Sequence, residues 1–177
     1  MATAPKLSIV VVSYNTCDLL RACLRSVQAN ERPPDLELFV VDNSSTDGSP
    51  GMVATEFPWA QLIESGANLG YAHANNLALR RCRGEYFLLL NPDTELPPDA
   101  LRRMVEFMDA HPEAGMAGPK LVRPDGSLDL ACRRSFPSPE VSLYRMLGLS
   151  RRFPRSPRFG RYNLTYLDPN QTAEVDS

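Results

Sequence analysis

Asp93 is the residue whose surroundings most invite chemistry. It lies in the tetrapeptide Asn91-Pro92-Asp93-Thr94, directly after the apolar run Tyr86-Phe87-Leu88-Leu89-Leu90. A short apolar run closed by a turn signal reads as a buried strand. A strand buried on both faces belongs to a sheet covered by helices. Asp93 is therefore expected just past the C-terminal end of a central strand, where open α/β sheets take their ligands. A carboxylate there is placed to hold a divalent cation, Mg²⁺ or Mn²⁺, against phosphate oxygens. The same four residues also make an ordinary Asx turn, because Asn, Pro and Asp all favour turns.

Two other polar loops follow apolar runs in the same way. Ser13-Tyr14-Asn15 follows Leu7–Val12, and Asp42 to Ser49 follows Leu36–Val41. In a parallel sheet the C-terminal ends of the strands share one edge, so the three loops converge. The first offers hydroxyls, an amide and an aromatic face that can stack on a base. The second offers Asp42 as an acceptor for a pyrimidine N–H or for ribose hydroxyls. With Asp93 and its cation, the three would hold the base, ribose and diphosphate of a nucleotide.

The elements that must position these loops are legible as periodicities. From Cys17 to Asn30, Leu19, Leu20, Cys23, Leu24 and Val27 fall on one helical face. A short helix is expected after Ser49, ending near Phe57-Pro58, and a brief strand at Gln61–Glu64. Asn68-Leu69-Gly70-Tyr71 opens a helix expected to run to about Cys82 and stop at Gly84. After Pro97-Pro98-Asp99, Leu101, Met104, Val105 and Met108 mark another helix, with the two methionines in the core. Beyond it, Gly115–Gly118 reads as a short strand and Lys120–Leu128 as a hairpin around Pro124-Asp125-Gly126. Strands alternating with helices give an α/β fold with a mostly parallel sheet and right-handed crossovers. Trp59 reads as packing. His73 reads equally as a pocket residue or a surface histidine.

The chain has 177 residues, 43% of them hydrophobic and 23% charged, which suits a globular protein with a sizeable core. No apolar run approaches a membrane span. Met1–Lys6 does not read as a signal peptide. The four cysteines, Cys17, Cys23, Cys82 and Cys132, have no metal spacing. A reducing cytosol is the expected compartment, so the sequons at Asn43, Asn163 and Asn170 carry no weight. The charge is uneven: residues 133–161 hold eight arginines and one acid, Glu140. This proline-interrupted segment is either a solvated stretch or a contact for anionic lipid headgroups or a substrate pyrophosphate. Nucleic acid is the weaker partner, since the rest of the chain is acidic.

Five segments carry a family resemblance. They are Leu7-Ser-Ile-Val-Val-Val-Ser-Tyr-Asn15, Val40-Val-Asp-Asn-Ser-Ser-Thr-Asp-Gly-Ser49, Asn68-Leu-Gly-Tyr-Ala-His-Ala-Asn-Asn76, Gly84-Glu-Tyr-Phe-Leu-Leu-Leu-Asn-Pro-Asp-Thr94 and Pro98-Asp99. In order and spacing they resemble the family 2 glycosyltransferases, over roughly residues 6–130, and most of all the bacterial rhamnosyltransferase-type members that build surface polysaccharides. The resemblance implies a GT-A fold, Rossmann-like, with residues 1–130 as the nucleotide-sugar-binding core and 131–177 as an Arg/Pro-rich segment. It implies that Ser13, Tyr14, Asn15, Asp42, Asn43, Asn68, Asn75 and Asn91 line the nucleotide and that Asp93 holds the metal. Two departures stand out: the family's second acid after strand two is Asn43, and its D-x-D-type motif keeps one carboxylate, Asp93.

The implied activity is inverting transfer of a sugar from a UDP- or dTDP-sugar, dTDP-rhamnose among them, to a saccharide or lipid-linked acceptor. The expected location is the cytoplasm; with a lipid-linked acceptor, the segment Arg133–Arg161 would hold the protein at the inner membrane face. The family's catalytic base lies in a later acidic motif. Here the late acids are Asp168, Glu174 and Asp176, which read as solvated surface, so no base is assigned. The sequence is thus expected to be a donor-binding half, and a non-catalytic nucleotide-sugar-binding module is the alternative. A sugar-1-phosphate nucleotidyltransferase is disfavoured, because Ser13-Tyr14-Asn15-Thr16 has neither the glycine nor the cation its first loop needs.

Overall fold

Leu7–Ser13, rich in β-branched residues, forms β1 and is buried along its whole length. It pairs in parallel with β2 (Leu36–Asp42) on one side and β4 (Tyr86–Leu90) on the other, and β2 pairs in parallel with β3 (Gln61–Glu64). The strand order is therefore β3-β2-β1-β4. The chain steps outward from β1 to β3, then returns past β1 to β4, so its direction across the sheet switches between β1 and β4. Such a switch point opens a crevice at the strand C-termini. The computed structural model describes residues 4–30 and 35–175, and the chain divides into two compact units, Met1–Pro112 and Glu113–Ser177. Residues 31–34, the start of Met1–Lys6 and Asp176 lie outside the described residues.

In the first unit, alternate strand residues feed two cores. Leu7, Ile9, Val11, Leu38, Val40 and Leu90 pack against three helices: α1 (Cys17–Ala29), α2 (Ser49–Glu56) and α4 (Ala100–Ala110). The α1 stripe is Leu20, Cys23, Leu24 and Val27, the i, i+3, i+4, i+7 spacing of one helical face. Leu19, expected on that face, is exposed. Trp59 and Met104 pack against this core as expected, whereas Met108, expected there too, is half-buried and not part of it. On the other face Val10, Val12, Phe39, Val41 and Ile63 meet Ala74 and Ala78 of α3 (Tyr71–Leu79). The α3 helix stops before Cys82, because Ala78 O turns to accept both Arg81 N and Cys82 N.

The structure corrects the reading of Tyr86–Leu90. That run is an edge strand of the four-stranded sheet, not a central one. Phe87 and Leu89 are 54% and 46% exposed, because α3 covers β1 and β2 but does not reach over β4. Continuous hydrophobicity mimicked burial on both faces. The entry to β4 requires Gly84: a Cβ there would sit 2.5 Å from Ser8 Oγ and 2.6 Å from Ser8 N.

In the second unit Gly115–Gly118 forms no strand. Glycines close the segment at both ends and Met116 is exposed, so nothing apolar holds it extended. The hairpin is present in reduced form, as an isolated antiparallel bridge between Val122 and Leu128. The arginine-rich stretch is helical in short pieces. A 3-10 turn spans Leu130–Cys132, and α5 spans Pro139–Met146 with Ser138 Oγ accepting from Val141 N. Then come α6 (Leu149–Arg152) and a second 3-10 turn at Arg161–Asn163. No helix of the described residues is long and apolar enough to cross a membrane.

Candidate functional site

The loops after β1 and β2 are laced together at the sheet edge. Asn15 N donates to Ser45 Oγ at 2.9 Å, and Asn15 Oδ1 accepts from Thr46 N at 2.8 Å. Asp47 Oδ2 accepts from Cys17 N at 2.8 Å, while Oδ1 accepts from Ser49 N at 3.0 Å and Ser49 Oγ at 2.5 Å. One carboxylate thus caps the starts of α1 and α2, satisfying amides left open at helix N-termini. The Ser49 hydroxyl, helped by these amides, holds the Asp47 carboxyl below the usual aspartate range. Asn15 and Ser44 adopt left-handed backbone, φ 52° and 71°. Such strain in non-glycine residues persists where surrounding bonds fix it, often at ligand sites.

Both strands run one residue further than their hydrophobic runs, so Ser13 and Asp42 are register partners in the ladder. Both are buried. Ser13 Oγ is bonded to Thr16 Oγ1 at 2.9 Å. Asp42 Oδ2 accepts from Ser45 N at 2.9 Å. Its Oδ1 is buried with no hydrogen-bond partner among the described residues. Tyr14, between them in sequence, leaves its ring exposed.

Asn43 is turned toward the segment before α3. Its Oδ1 accepts from Leu69 N at 2.9 Å, and its Nδ2 donates to Asn68 Oδ1 at 2.9 Å. Asn68 Oδ1 also accepts from Gly70 N at 3.1 Å. Asn75 is buried and bonds back along α3 to Tyr71 O at 2.9 Å. The Asn43 and Asn75 side chains are therefore committed to the loop and helix that frame the crevice. His73 is exposed.

The loop after β4 is held by α1. Cys23 Sγ donates to Asn91 O at 3.6 Å. Ser26 Oγ accepts from Leu96 N at 2.9 Å, and Asn30 bonds Pro97 O at 2.8 Å and Leu101 N at 3.1 Å. Burial, reinforced by the Asp93 and Glu95 carboxylates, pushes the Cys23 thiol up to about 12, so it remains a protonated donor. Thr94 N closes a turn onto Asn91 O at 3.2 Å. The turn is therefore a β-turn closed by backbone atoms and not the expected Asx turn, and it leaves Asp93 exposed with no hydrogen bond or ion pair among the described residues. Asn91 Oδ1 accepts from Tyr71 OH at 3.4 Å.

The first unit therefore brings Tyr14, Asn15, Asp42, Asn43, Asn68, Asn91 and Asp93 to one edge. Asp47, Tyr71, Ser26 and Asn30 belong to the same construction and were not foreseen. A signal existed for Asp47, which directly precedes Gly48 and the start of a helix, where acids cap. The bonds that Ser26 and Asn30 make to the loop carrying Asp93 and to the start of α4 span about seventy positions and leave no local trace. In the second unit Asp168 and Glu174 are exposed, as expected.

The family model for glycosyl transferase family 2 matches residues 8–166. The chain belongs to that family. The family 2 match continues past residue 130 into the arginine-rich segment. Among curated family relatives, the N-acetylglucosaminyl-diphospho-decaprenol L-rhamnosyltransferase of Mycobacterium tuberculosis is 29% identical over 93% of this chain. The chain spans 56% of that relative's length. Among solved structures, the mannosyltransferase PcManGT from Pyrobaculum calidifontis, in complex with GDP-Man and Mn²⁺, superposes with a TM-score of 0.58. It is 32% identical, over 70% of this chain and 37% of its own. S. aureus TarS 1-349 in complex with UDP-GlcNAc gives a TM-score of 0.54 at 28% identity, over 60% of this chain and 32% of its own. The family 2 chain has the GT-A fold, with its parallel sheet and flanking helices.

Proposed function

We propose that the strand-end edge of β1, β2 and β4 binds the nucleoside diphosphate of a sugar donor, and that the protein transfers this sugar with inversion to a saccharide or lipid-linked acceptor in cell-surface polysaccharide synthesis. The observation that carries the reading is Asp42. One of its carboxylate oxygens is buried without a partner among the described residues, at the end of β2 in register with Ser13 of β1, and the exposed Tyr14 directly follows Ser13. An unsatisfied buried acceptor is costly, and a pyrimidine N–H or ribose hydroxyl would satisfy it. Tyr14 supplies the stacking face. Asn15, Asn68 and Asn91 border the diphosphate and sugar. Ser13, Asn43 and Asn75 act by fixing the loops around them.

Asp93 suits a divalent cation of the Mg²⁺ or Mn²⁺ type. Its carboxylate is exposed and uncommitted, and no group of three His, Cys, Asp or Glu gathers among the described residues. A cation held by one protein carboxylate fits ions that keep water ligands and share substrate phosphates. When bound, the cation would neutralise the departing nucleoside diphosphate. The chain's own share is to position the donor, through Asp42 and Tyr14, and to keep the Asp93 turn fixed by Cys23, Ser26 and Asn30.

Donor binding without turnover is the second reading, favoured by the late acids. Asp168 Oδ1 is committed to Asn170 N at 2.9 Å, and Glu174 is exposed. The test is a panel of UDP-, dTDP- and GDP-sugars with Mn²⁺, scored for calorimetric binding and for release of nucleoside diphosphate with polyprenyl-linked and free saccharide acceptors. Tight binding of a pyrimidine donor with acceptor-dependent release supports transfer. Binding without release selects the second reading. Binding of none of the panel overturns both.

A further inference from the structure

Arginine enrichment over residues 133–161 is resolved by the structure into committed and uncommitted side chains. Glu140, the one acid, is occupied: its Oε1 accepts from Tyr144 OH at 2.5 Å and lies 3.5 Å from Arg158 Nη2. Arg133 donates to the Leu167 and Asp168 carbonyls. No acidic side chain ion-pairs with Arg145, Arg151, Arg152 or Arg155 among the described residues, and all four are exposed. Arg145 is braced over the Tyr162 ring, 4.2 Å from its centroid.

The α5 helix turns Val141 inward and leaves Leu143, Met146 and Leu147 exposed, the last two at 78% and 62%. These three fall at i, i+3 and i+4, one face of a helix. Gly148, with φ 72°, then redirects the chain so that Arg151 and Arg152 follow within a turn. Exposed aliphatic side chains on one helix face, flanked by cations without acidic partners, match the boundary between anionic headgroups and acyl chains. Arginine stems can lie along such a surface while their heads stay with the phosphates.

We propose that the apolar edge of α5, with Arg145, Arg151 and Arg152, docks on an anionic lipid bilayer. Charge complementarity selects this occupant. A neutral apolar partner would leave the Arg145, Arg151 and Arg152 guanidinium groups without an anionic partner beside the contact, whereas an anionic bilayer accepts both the cations and the aliphatic face. The inference stands on the second unit and does not depend on donor binding.

The experiment is co-sedimentation of the full chain with vesicles of phosphatidylcholine alone or mixed with phosphatidylglycerol at roughly seven to three. Sedimentation is expected with the anionic vesicles only. It should weaken on raising salt, and fall about tenfold or more in Arg151→Glu/Arg152→Glu and in Met146→Asp/Leu147→Asp. Circular dichroism should be unchanged, since all four side chains are exposed. Equal binding to neutral vesicles, binding to neither, or binding indifferent to both variants overturns the proposal. Displacement by inorganic pyrophosphate at matched ionic strength overturns it in favour of a small-anion site. A dimer of the wild type in vesicle-free sedimentation that Met146→Asp/Leu147→Asp abolishes overturns it in favour of a second copy. Donor calorimetry on the same variants should match the wild type, which separates failure here from failure of the donor site.

Discussion

The side-chain amide of Asn43 donates to the amide oxygen of Asn68 at 2.9 Å, and both amide orientations are fixed by backbone donors. Leu69 N points at Asn43 Oδ1 and Gly70 N at Asn68 Oδ1. Asn43 stands where the resemblance implies a second acid, and the pair accounts for the exchange. A carboxylate could accept from Leu69 N but could not donate to Asn68. Asn43→Asp should therefore destabilise the fold by about 1–3 kcal/mol, the range for a buried polar group left without its partner. Urea unfolding measures this, and a double-mutant cycle with Asn68→Ala should show coupling between the two sites.

Asp47 makes stability depend on pH. Its carboxyl is held below the usual aspartate range by the Ser49 hydroxyl and the Ser49 and Cys17 amides. A folded-state pKa below the unfolded one stabilises above the unfolded value, and that stabilisation is lost as pH falls through the folded value. The urea midpoint should therefore drop between roughly pH 5 and pH 2. Asp47→Ala should lower the midpoint at neutral pH, at a cost of about 1–2 kcal/mol for two uncapped helices, and should flatten the acid limb. An acid limb as steep as the wild type's would assign the drop to other carboxylates.

Asn30 links α1 to the loop that carries Asp93. Buried, it donates to Pro97 O and accepts from Leu101 N. Asn30→Leu should cost about 2–4 kcal/mol for two orphaned backbone groups and loosen the Asp93 turn. Hydrogen exchange at Leu96 and Leu101 should accelerate while the β1–β2 amides stay protected. Uniform acceleration would show that Asn30 supports the whole fold and not this loop.

Much of this fold is legible in the sequence because it rests on short-range pattern. The Leu20, Cys23, Leu24, Val27 stripe announces α1, and the apolar runs place all four strands within a residue. The strand ends at Ser13 and Asp42 were misjudged because a polar side chain stops a hydrophobic run without stopping the ladder. The edge position of β4 was hidden for the converse reason: Phe87 and Leu89 look buried by composition, and only strand order shows them uncovered. At the candidate site the convergence of three loops was legible. The commitment of Asn43, Asn75 and Ser13 to neighbouring backbone and side chains was not, since those partners depend on loop conformation.

The most direct test compares the wild type with Asp93→Asn, a nearly isosteric loss of one exposed charge. Titration calorimetry would measure UDP and dTDP affinity with Mn²⁺ and with chelator. The wild type should bind one of them at least about tenfold more tightly with Mn²⁺, roughly 1.4 kcal/mol. In Asp93→Asn that metal-dependent gain should vanish while the metal-free affinity is unchanged. An undiminished Mn²⁺-dependent gain in Asp93→Asn would contradict the assignment of Asp93 as the donor-side metal carboxylate.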